Sequence, residues 1–344
     1  MNYFNQHTLI FFTLFHNILT YLLIFRVGCY NVSVIFTRKR GTNVLKFLEE
    51  EQIDPRVIEG IREFRRRFVP EADDTVLPRY FYYGKEVWEQ AAQALLAGEN
   101  LLLAGAKATG KNVLAENLAA AFGRPVYNVS LHINADAASM LGTDTFKDGE
   151  VSFRPGPVCE AATEGGFCVL DEINMARNEA LAVLHSVLDF RRSIQIPGYQ
   201  KIRIHPASRF IATMNYGYAG TRELNEALSS RFMVLAMPEI AKEDLSRLLE
   251  KEFPSMKPEY VKQFTSLFID IRDKCRSGEL TEKVLDLRGL TGALRMMEGG
   301  LAPCQALDMG ITNKTADDYE QSLVRDIISS RISRKADRDT IFTV

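Results

Sequence analysis

The sequence has few of the features that mark disulfide-rich, metal-binding or nucleic-acid-binding proteins. Its 344 residues include five cysteines, and no two of them form a CxxC pair or another metal-site spacing. With 42 basic and 44 acidic residues the formal net charge is −2, so no basic excess attracts nucleic acid. The sequence contains no internal repeat and no low-complexity segment. These absences favour a globular protein with reduced thiols, as found in the cytoplasm.

Charged side chains are missing from the beginning of the chain, between Asn2 and Phe25. The stretch from Leu9 to Phe25 is almost wholly apolar, and about 20 apolar residues can span a bilayer. The basic cluster Arg38-Lys39-Arg40 would then hold the following domain on the cytoplasmic side. Alternatively, residues 1–43 come from an over-extended gene start, because a globular pattern begins abruptly at Val44. We therefore expect either a membrane anchor or a segment that is not native protein.

An apolar run, Leu101 to Ala104, leads into a glycine-framed loop with the spacing GxxxxGK. The residues expected to bind a nucleotide are Gly105, Ala106, Lys107, Ala108, Thr109, Gly110, Lys111, Asn112 and Val113. Glycines let backbone N–H groups curl around phosphate oxygens, and Lys111 supplies a positive charge to the β- and γ-phosphates. The following helix adds the partial positive charge of its N-terminus. An ordinary glycine-containing turn is the alternative.

One position departs from this motif. Asn112 stands where a serine or threonine hydroxyl normally ligates Mg²⁺. An asparagine oxygen is a neutral hard donor that can also ligate Mg²⁺, although its side chain is one bond longer. We expect nucleotide binding to persist through the loop amides and Lys111, and hydrolysis to be the step that Asn112 affects.

A second apolar run, Phe167 to Leu170, ends in two adjacent carboxylates, Asp171 and Glu172. Because burying an unpartnered carboxylate is costly, such a pair at a strand end indicates a cation or a polar ligand. In a nucleotide site Asp171 would hold the Mg²⁺ shell together with Asn112, and Glu172 would activate the attacking water. A helix-capping Asp-Glu pair is the alternative.

Further landmarks follow along the chain. Arg209 to Asn215 is an apolar strand that ends in an amide, and ligands gather at such strand ends in open α/β sheets. Ser230-Arg231-Phe232 precedes another apolar strand, Met233 to Met237, and helical segments come after it. Helical periodicity is weaker after Pro303. The aromatic residues from Tyr80 to Tyr83 form part of a base pocket or pack in the core.

The order of these landmarks resembles that of an AAA+ ATPase. Leu170–Asn174, Ala212–Asn215 and Ser230–Phe232 are similar to motifs of the MoxR group, with its CbbQ- and NorQ-like members, in the dynein-related AAA group. The resemblance implies an α/β fold with a P-loop parallel sheet, strand order 5-1-4-3-2, and a C-terminal helical lid domain. The expected divisions are a helical extension with a linker (44–79), the α/β core (80–238) and the lid with its tail (239–344).

The resemblance also implies roles for single residues. Lys111 is similar to the Walker A lysine, and Asp171 with Glu172 to the Walker B pair. Asn215 is similar to sensor 1, which helps to position the attacking water. Arg231 matches the arginine finger, whose charge reaches into the nucleotide site of a neighbouring subunit.

Arg288 stands where the lid domain of this family carries its sensor 2 arginine. The segment Thr143 to Phe153 predicts a hairpin about Asp148-Gly149, and it resembles the helix-2 insert. Ser193 to Ile204 resembles the pre-sensor hairpin, and in related rings both hairpins touch substrate. The catalytic residues that the resemblance implies are Glu172, Asn215, Arg231 and Arg288.

The function implied is that of a chaperone that hydrolyses ATP, with Mg²⁺ as cofactor. It would remodel or mature a protein client as a homo-oligomeric ring such as a hexamer, and MoxR-type proteins are associated with von Willebrand factor A domain proteins. Two alternatives are a nucleic-acid-associated AAA+ motor subunit, which the slightly acidic charge disfavours, and a non-hydrolysing nucleotide switch, which Asn112 suggests. We expect a cytoplasmic protein, tethered to a membrane only if residues 1–43 are native.

Overall fold

The structure is a computed structural model. It describes residues 44–70, 77–147, 149–196, 198–199, 201–216 and 223–343. The apolar segment 1–43 lies outside the described residues, and so do residues 71–76 of the expected linker. Asp148 and Pro197, at the turns of the two expected hairpins, also lie outside them.

The N-terminal extension forms two helices, α1 over residues 44–50 and α2 over Pro55–Arg67. Between them the chain turns at Gln52, which adopts a left-handed φ of 56°. Asp54 caps α2 by accepting a hydrogen bond of 2.8 Å from the Arg56 N–H, and proline suits the first helical position because it needs no donor there. The buried face of α2 consists of Val57, Ile58, Ile61 and Phe64.

The strands alternate with short helices through the α/β region. In chain order the strands are β1 (Leu101–Gly105), β2 (Val126–Ser130), β3 (Gly142–Lys147), β4 (Glu150–Pro155), β5 (Phe167–Asp171), β6 (Ser193–Ile194), β7 (Ile202–Arg203), β8 (Arg209–Asn215) and β9 (Met233–Ala236). The helices of this region are α3 (Lys85–Ala97), α4 (Lys111–Phe122), α5 (Ala137–Leu141), α6 (Pro157–Glu164), α7 (Asn178–Leu181), α8 (Leu184–Val187) and α9 (Glu226–Ser229).

A five-stranded parallel sheet lies at the centre of this region, in the order β2-β5-β8-β1-β9. Counting only these strands, the order is 5-1-4-3-2 from the other edge, which confirms the predicted fold class. Leu101 and Leu103 of β1 pack on the side of the sheet that α2, α3 and α4 cover, whereas Leu102 packs on the other side. Both faces of β1 are therefore buried, which explains its uninterrupted apolar sequence.

The two expected hairpins are present and contact each other. β3 pairs with β4, and β6 pairs with β7, both antiparallel. The Tyr199 hydroxyl donates a hydrogen bond of 2.7 Å to the Asp144 carboxylate of β3, and the rings of Tyr199 and Phe153 lie 5.2 Å apart. Phe146 and Val151, paired near the end of the first hairpin, are 76% and 62% exposed.

The C-terminal region is helical to the end of the described chain, including the part after Pro303 where the periodicity is weak. Its helices are α10 (Lys242–Glu252), α11 (Pro258–Arg276), α12 (Leu287–Glu298), α13 (Pro303–Gly310), α14 (Asp318–Arg331) and α15 (Arg338–Ile341). Helices α12 and α13 cross closely at Gly289 and Gly310, where a Cβ on Gly289 would lie 2.0 Å from the Gly310 carbonyl oxygen. These helices share a hydrophobic cluster that runs from Leu245 to Phe342.

Helix α1 contacts both the α/β region and the C-terminal helices. Phe47 belongs to the hydrophobic cluster that contains α3 and α4, and its ring stacks on Phe81 at 4.4 Å. On its other side, the ammonium of Lys251 in α10 lies 5.2 Å from the Phe47 ring centre and 4.1 Å from that of Phe81. Arg247, also in α10, forms a two-pronged ion pair with Glu51 just after α1. The N-terminal extension thus bridges two parts of the fold.

The structure bears on two expectations, that of a membrane span and that of reduced cysteines, for the described residues alone. Among the described residues, no helix is long and apolar enough to cross a membrane. Cys159, Cys168, Cys275 and Cys304 are free thiols, and Cys29 lies outside the described residues.

Candidate active site

The glycine-framed loop joins the carboxyl end of β1 to the first turn of α4. Ala108 and Gly110 both adopt left-handed conformations, with φ of 63° and 82°, and they fold the loop back on itself. A Cβ on Gly110 would lie 3.1 Å from the Tyr82 ring, and one on Gly105 would lie 2.9 Å from the Met237 carbonyl oxygen. Close contacts and the left-handed conformation of Gly110 thus favour glycine at both framing positions.

Lys111, at the start of α4, folds its side chain back over the loop. Its ammonium donates hydrogen bonds to the carbonyl oxygens of Gly105 and Ala106, at 3.0 and 2.7 Å, and to the Thr109 hydroxyl at 3.3 Å. Burial lowers the pKa of Lys111 to about 8, although the charge of Asp171 favours its protonated form. An anionic ligand in the loop would stabilise the protonated form of Lys111, which burial disfavours.

Asp171 ends β5 and is held by two neighbouring elements. Its Oδ2 accepts a hydrogen bond of 2.8 Å from the Asn112 side-chain amide, and its Oδ1 accepts one of 2.5 Å from the Thr213 hydroxyl. Asn112 comes from the first turn of α4, and Thr213 comes from β8, the strand next to β5. The structure therefore brings together the two residues predicted to ligate Mg²⁺.

Glu172 follows Asp171 in a left-handed conformation, with φ of 55°, which a glutamate adopts at an energetic cost. Its N–H donates a hydrogen bond of 3.0 Å to the Thr213 hydroxyl oxygen. Its carboxylate accepts one of 3.3 Å from the side-chain amide of Asn215, at the end of β8. The predicted base and the predicted sensor 1 residue are thus in direct contact.

The donor set suits a magnesium ion better than a metal bound by protein alone. Among the described residues there is no group of three or more His, Cys, Asp and Glu side chains that could hold a metal. Asn112 and Asp171 supply oxygen donors instead, and Mg²⁺ is usually bound by one or two protein oxygens together with waters and substrate phosphates. These residues would hold the ion, and the ion would neutralise phosphate charge.

Three further residues of the predicted site are Lys107, Arg288 and Val113. Lys107 is half-buried, and its ammonium donates a 3.4 Å hydrogen bond to the Glu282 carbonyl oxygen in the C-terminal region. Arg288 is the second residue of α12. Burial raises the pKa of Glu116 on α4, and the charge of Arg288 opposes that rise, which places Arg288 next to the helix that follows the loop. Val113 lies in the first turn of α4, where its carbonyl accepts from Asn117 at 2.7 Å.

A small cavity of about 60 Å³ lies between the loop and the C-terminal region. Its lining includes Ala106 and Thr109 on one side, and Phe268, Arg272 and Leu285 on the other. The aromatic segment before α3 does not line it. Tyr82 is buried in the core against Gly110, which favours core packing as its role.

Arg231 lies at the opposite end of the strands from the phosphate loop, at the amino end of the sheet. It precedes β9, whose first residue, Met233, is paired with Leu101 at the beginning of β1. Strands rise about 3.3 Å per residue, so the beginning of β1 is about 13 Å from its end at Gly105. Arg231 therefore does not join the other predicted catalytic residues within one chain.

The Arg231 side chain is held where it lies by nearby groups. It hydrogen-bonds to the Ala227 carbonyl oxygen, and its guanidinium lies 3.9 Å from the Asp189 carboxylate. A hydrogen bond from Arg191 is the main reason that the pKa of Asp189 falls to about 2, and Arg231 contributes to the shift. Asn100 donates to the carbonyl oxygens of Arg231 and Leu188, at 3.0 and 3.1 Å, and so ties the two segments together.

The sequence did not identify Thr213 and Asn174 as site residues. Both are almost fully buried, and both bond to residues that the motifs did identify. A signal was present, because each is a polar residue inside an otherwise apolar segment next to a motif residue.

Comparison with known proteins identifies the family. The sequence profile of the AAA domain, dynein-related subfamily, matches residues 100–232. The uncharacterized protein YojN of Bacillus subtilis is 34% identical over 239 residues, which are 68% of this chain and 78% of that protein. This chain belongs to the dynein-related AAA family.

A staphylococcal relative extends the family match. The uncharacterized protein SH1500 of Staphylococcus haemolyticus is 31% identical over 257 residues, which are 73% of this chain and 97% of that protein. The crystal structure of a candidate ATPase from Cytophaga hutchinsonii aligns with 84% of this chain and 98% of its own, with a TM-score of 0.42 and 14% identity. The AAA domain implies that the protein binds ATP.

Proposed function

We propose that this AAA protein hydrolyses ATP to ADP and phosphate. The contact of 3.3 Å between Glu172 and Asn215 supports the proposal best, because it pairs a carboxylate base with an amide at the sheet edge that carries the phosphate loop. Lys111 binds the phosphates, Glu172 accepts a proton from the attacking water, and Asn215 orients that water. Asp171 and Asn112 hold the Mg²⁺ that accompanies the nucleotide.

The test compares two variants in an ATPase assay with a parallel nucleotide-binding measurement. Glu172→Gln keeps the shape of the side chain and removes the base, so it should bind ATP normally and lose about 10²–10⁴-fold in turnover. Lys111→Ala should lose binding as well. Normal turnover by Glu172→Gln would refute the proposed role of the base. Tight ATP binding without turnover in the wild-type protein would support the nucleotide switch suggested by Asn112.

The proposed active form is a homo-oligomeric ring in which each subunit completes the site of its neighbour. The position of Arg231 supports this, since it lies about 13 Å along β1 from its own phosphate loop. Head-to-tail contacts between unlike faces close into rings when the rotation between subunits allows it. Sedimentation velocity with and without ATP measures assembly, and a protein that turns over ATP as a monomer would contradict the ring.

The work done by this ring is proposed to be remodelling of a protein client, such as a von Willebrand factor A domain protein. The exposed apolar pair Phe146 and Val151 supports a protein client over nucleic acid, because a nucleic-acid groove would carry basic side chains. Capture on the Glu172→Gln variant with ATP, from cells of the source organism, tests the client. Stimulation of turnover by DNA or RNA, and not by protein, would favour a nucleic-acid motor.

A further inference from the structure

Asn174 is a buried amide with one satisfied end and one unsatisfied end. It lies in the short 3-10 helix Ile173–Met175, which follows Glu172, and it is 3% exposed. Its side-chain nitrogen donates a hydrogen bond of 2.9 Å to the backbone carbonyl oxygen of Asn215. Its side-chain oxygen is buried and has no hydrogen-bond partner within the described part of the chain. Buried polar atoms are rarely left unpaired, so this one requires a reason.

The orientation of the amide is fixed by its partner. The Asn215 carbonyl can only accept, so a rotated Asn174 amide would set two oxygen lone pairs against each other. The Asn174 oxygen thus stays unpaired so that the Asn174 nitrogen can donate to the Asn215 carbonyl. This indicates that the hydrogen bond to Asn215 outweighs the cost of leaving the Asn174 oxygen unpaired.

This contact extends the pairing of β5 with β8 beyond the last backbone pair. The register ends at Leu170 and Ala212, because the left-handed Glu172 takes the chain out of the sheet. Past that point side-chain bonds continue the connection. Among them are the Thr213 hydroxyl to the Asp171 carboxylate at 2.5 Å, the Glu172 N–H to the Thr213 hydroxyl at 3.0 Å, and the Asn174 amide to the Asn215 carbonyl at 2.9 Å.

Asn215 is consequently held at both ends by the same turn. Asn174 holds its backbone carbonyl, and Glu172 accepts from its side-chain amide at 3.3 Å. We propose that Asn174 is a positioning residue that sets the orientation of Asn215 relative to Glu172. The inference rests on the proposed ATP hydrolysis for its effect on rate, but the geometry that it describes can be tested without hydrolysis.

The kinetic test uses Asn174→Ala and the isosteric Asn174→Asp. Neither change touches the phosphate loop, so KM for ATP should stay within about twofold, whereas kcat should fall by up to about 100-fold, the cost of a small misplacement of reacting groups. A carboxylate cannot donate to Asn215, but a protonated carboxyl can. Burial and the adjacent Glu172 charge favour protonation of the carboxyl introduced by Asn174→Asp. The kcat of this variant should therefore rise toward that of the wild type as the pH falls.

Asn174→Ala has no group that could donate at low pH, so the ratio of its kcat to that of the wild type should stay constant with pH. Asn134→Asp is the control for an added carboxylate, since Asn134 is exposed in the loop after β2; it should match wild type throughout. Wild-type kcat in both Asn174 variants would overturn the proposal. So would equal losses in both at every pH, because that result would indicate a structural role.

A spectroscopic measurement separates this inference from the proposed activity. Selective ¹⁵N-asparagine labelling of the nucleotide-free protein shows the Asn215 side-chain amide, which is assigned by its loss in Asn215→Ser. This resonance should shift in Asn174→Ala and in Asn174→Asp at neutral pH, and should stay in place in Asn134→Asp. An unchanged resonance in both Asn174 variants would overturn the inference, even if the protein hydrolyses ATP. A shifted resonance in a protein without turnover would support the inference and refute the proposed function.

Discussion

The side-chain amide of Asn112 donates a hydrogen bond of 2.8 Å to the carboxylate of Asp171, and this bond joins the first turn of α4 to the end of β5. An amide that donates through its nitrogen keeps its oxygen as the group that can ligate a cation. Asn112 can thus take over both functions of the usual hydroxyl, as donor to the aspartate and as metal ligand. Its longer side chain then alters the geometry of Mg²⁺ coordination without preventing Mg²⁺ binding.

We therefore predict that Asn112→Thr raises ATP turnover and lowers the Mg²⁺ concentration needed for half-maximal rate, with little change in nucleotide affinity. The gain should be smaller than the 10²–10³-fold associated with a single well-placed transition-state contact, because Asp171 still holds the ion. Asn112→Ala should bind Mg²⁺ less well than the wild type. Steady-state rates against Mg²⁺ for the three proteins provide the measurement. If both variants are slower and respond to Mg²⁺ like the wild type, Asn112 has another role.

The position of Arg231 predicts complementation between two inactive variants. Arg231→Ala should bind ATP as an isolated subunit and lose most of its turnover, because in the proposed ring its guanidinium serves the neighbouring site. Lys111→Ala cannot bind nucleotide but keeps its own Arg231. Mixed assemblies of the two should regain part of the wild-type rate, since some sites combine an intact loop with an intact arginine. No recovery in assemblies shown to contain both would argue that Arg231 acts within its own subunit.

The crossing of α12 and α13 predicts a strong effect on stability from one methyl group. Gly289→Ala gains helix propensity worth about 1 kcal/mol, but its Cβ would lie 2.0 Å from the Gly310 carbonyl oxygen. Backbone cannot move away cheaply, so the clash should win and lower the free energy of unfolding by about 1–3 kcal/mol. Gly292→Ala is the matched control on the same helix, where a Cβ meets nothing within 4 Å. Urea unfolding should show the first variant destabilised and the second unchanged or stabilised.

His205 predicts a loss of stability in mild acid. Burial and the charges of Arg124 and Arg192 lower the pKa of His205 below its ordinary value of 6.5. Its Nδ1 also accepts a hydrogen bond of 3.1 Å from the Ala207 N–H, which requires the neutral ring. The unfolded chain therefore binds this proton more readily than the folded one, so stability is present above pH 6.5 and falls as the pH drops toward the folded-state pKa.

His205→Asn should remove that part of the pH dependence, because asparagine can still accept from the backbone but does not titrate. Thermal unfolding between pH 5 and pH 8 provides the measurement. His132→Asn is the control, since His132 accepts in a similar way from the Asn134 N–H but is exposed. Equal acid sensitivity of wild type and His205→Asn would show that another group is responsible.

The sequence predicted the parts of the site that depend on residue type and short spacing. Asp171 and Asn215 end buried strands, Gly110 and Lys111 follow one, and parallel strands bring their carboxyl ends to one edge. The fold class could be predicted for the same reason, since apolar strands alternate with amphipathic helices.

Contacts between distant segments could not be read in this way. Thr213 and Asn174 act through bonds to residues about 40 positions away, and the local sequence does not specify those partners. The close crossing at Gly289 likewise depends on Gly310, on another helix. The periodicity after Pro303 was weak, although α14 buries Val324 and Ile328 on one face and packs against α11.

The bridge made by α1 has a mechanical consequence. Phe47 is anchored in the α/β core, while Lys251 and Arg247 bind the same N-terminal segment from α10. A rotation of the C-terminal helices against the core, on either side of the cavity between them, must therefore carry α1 along or break the Arg247 pair with Glu51. Any relative motion of the two sides of this cavity is therefore coupled to the N-terminal segment.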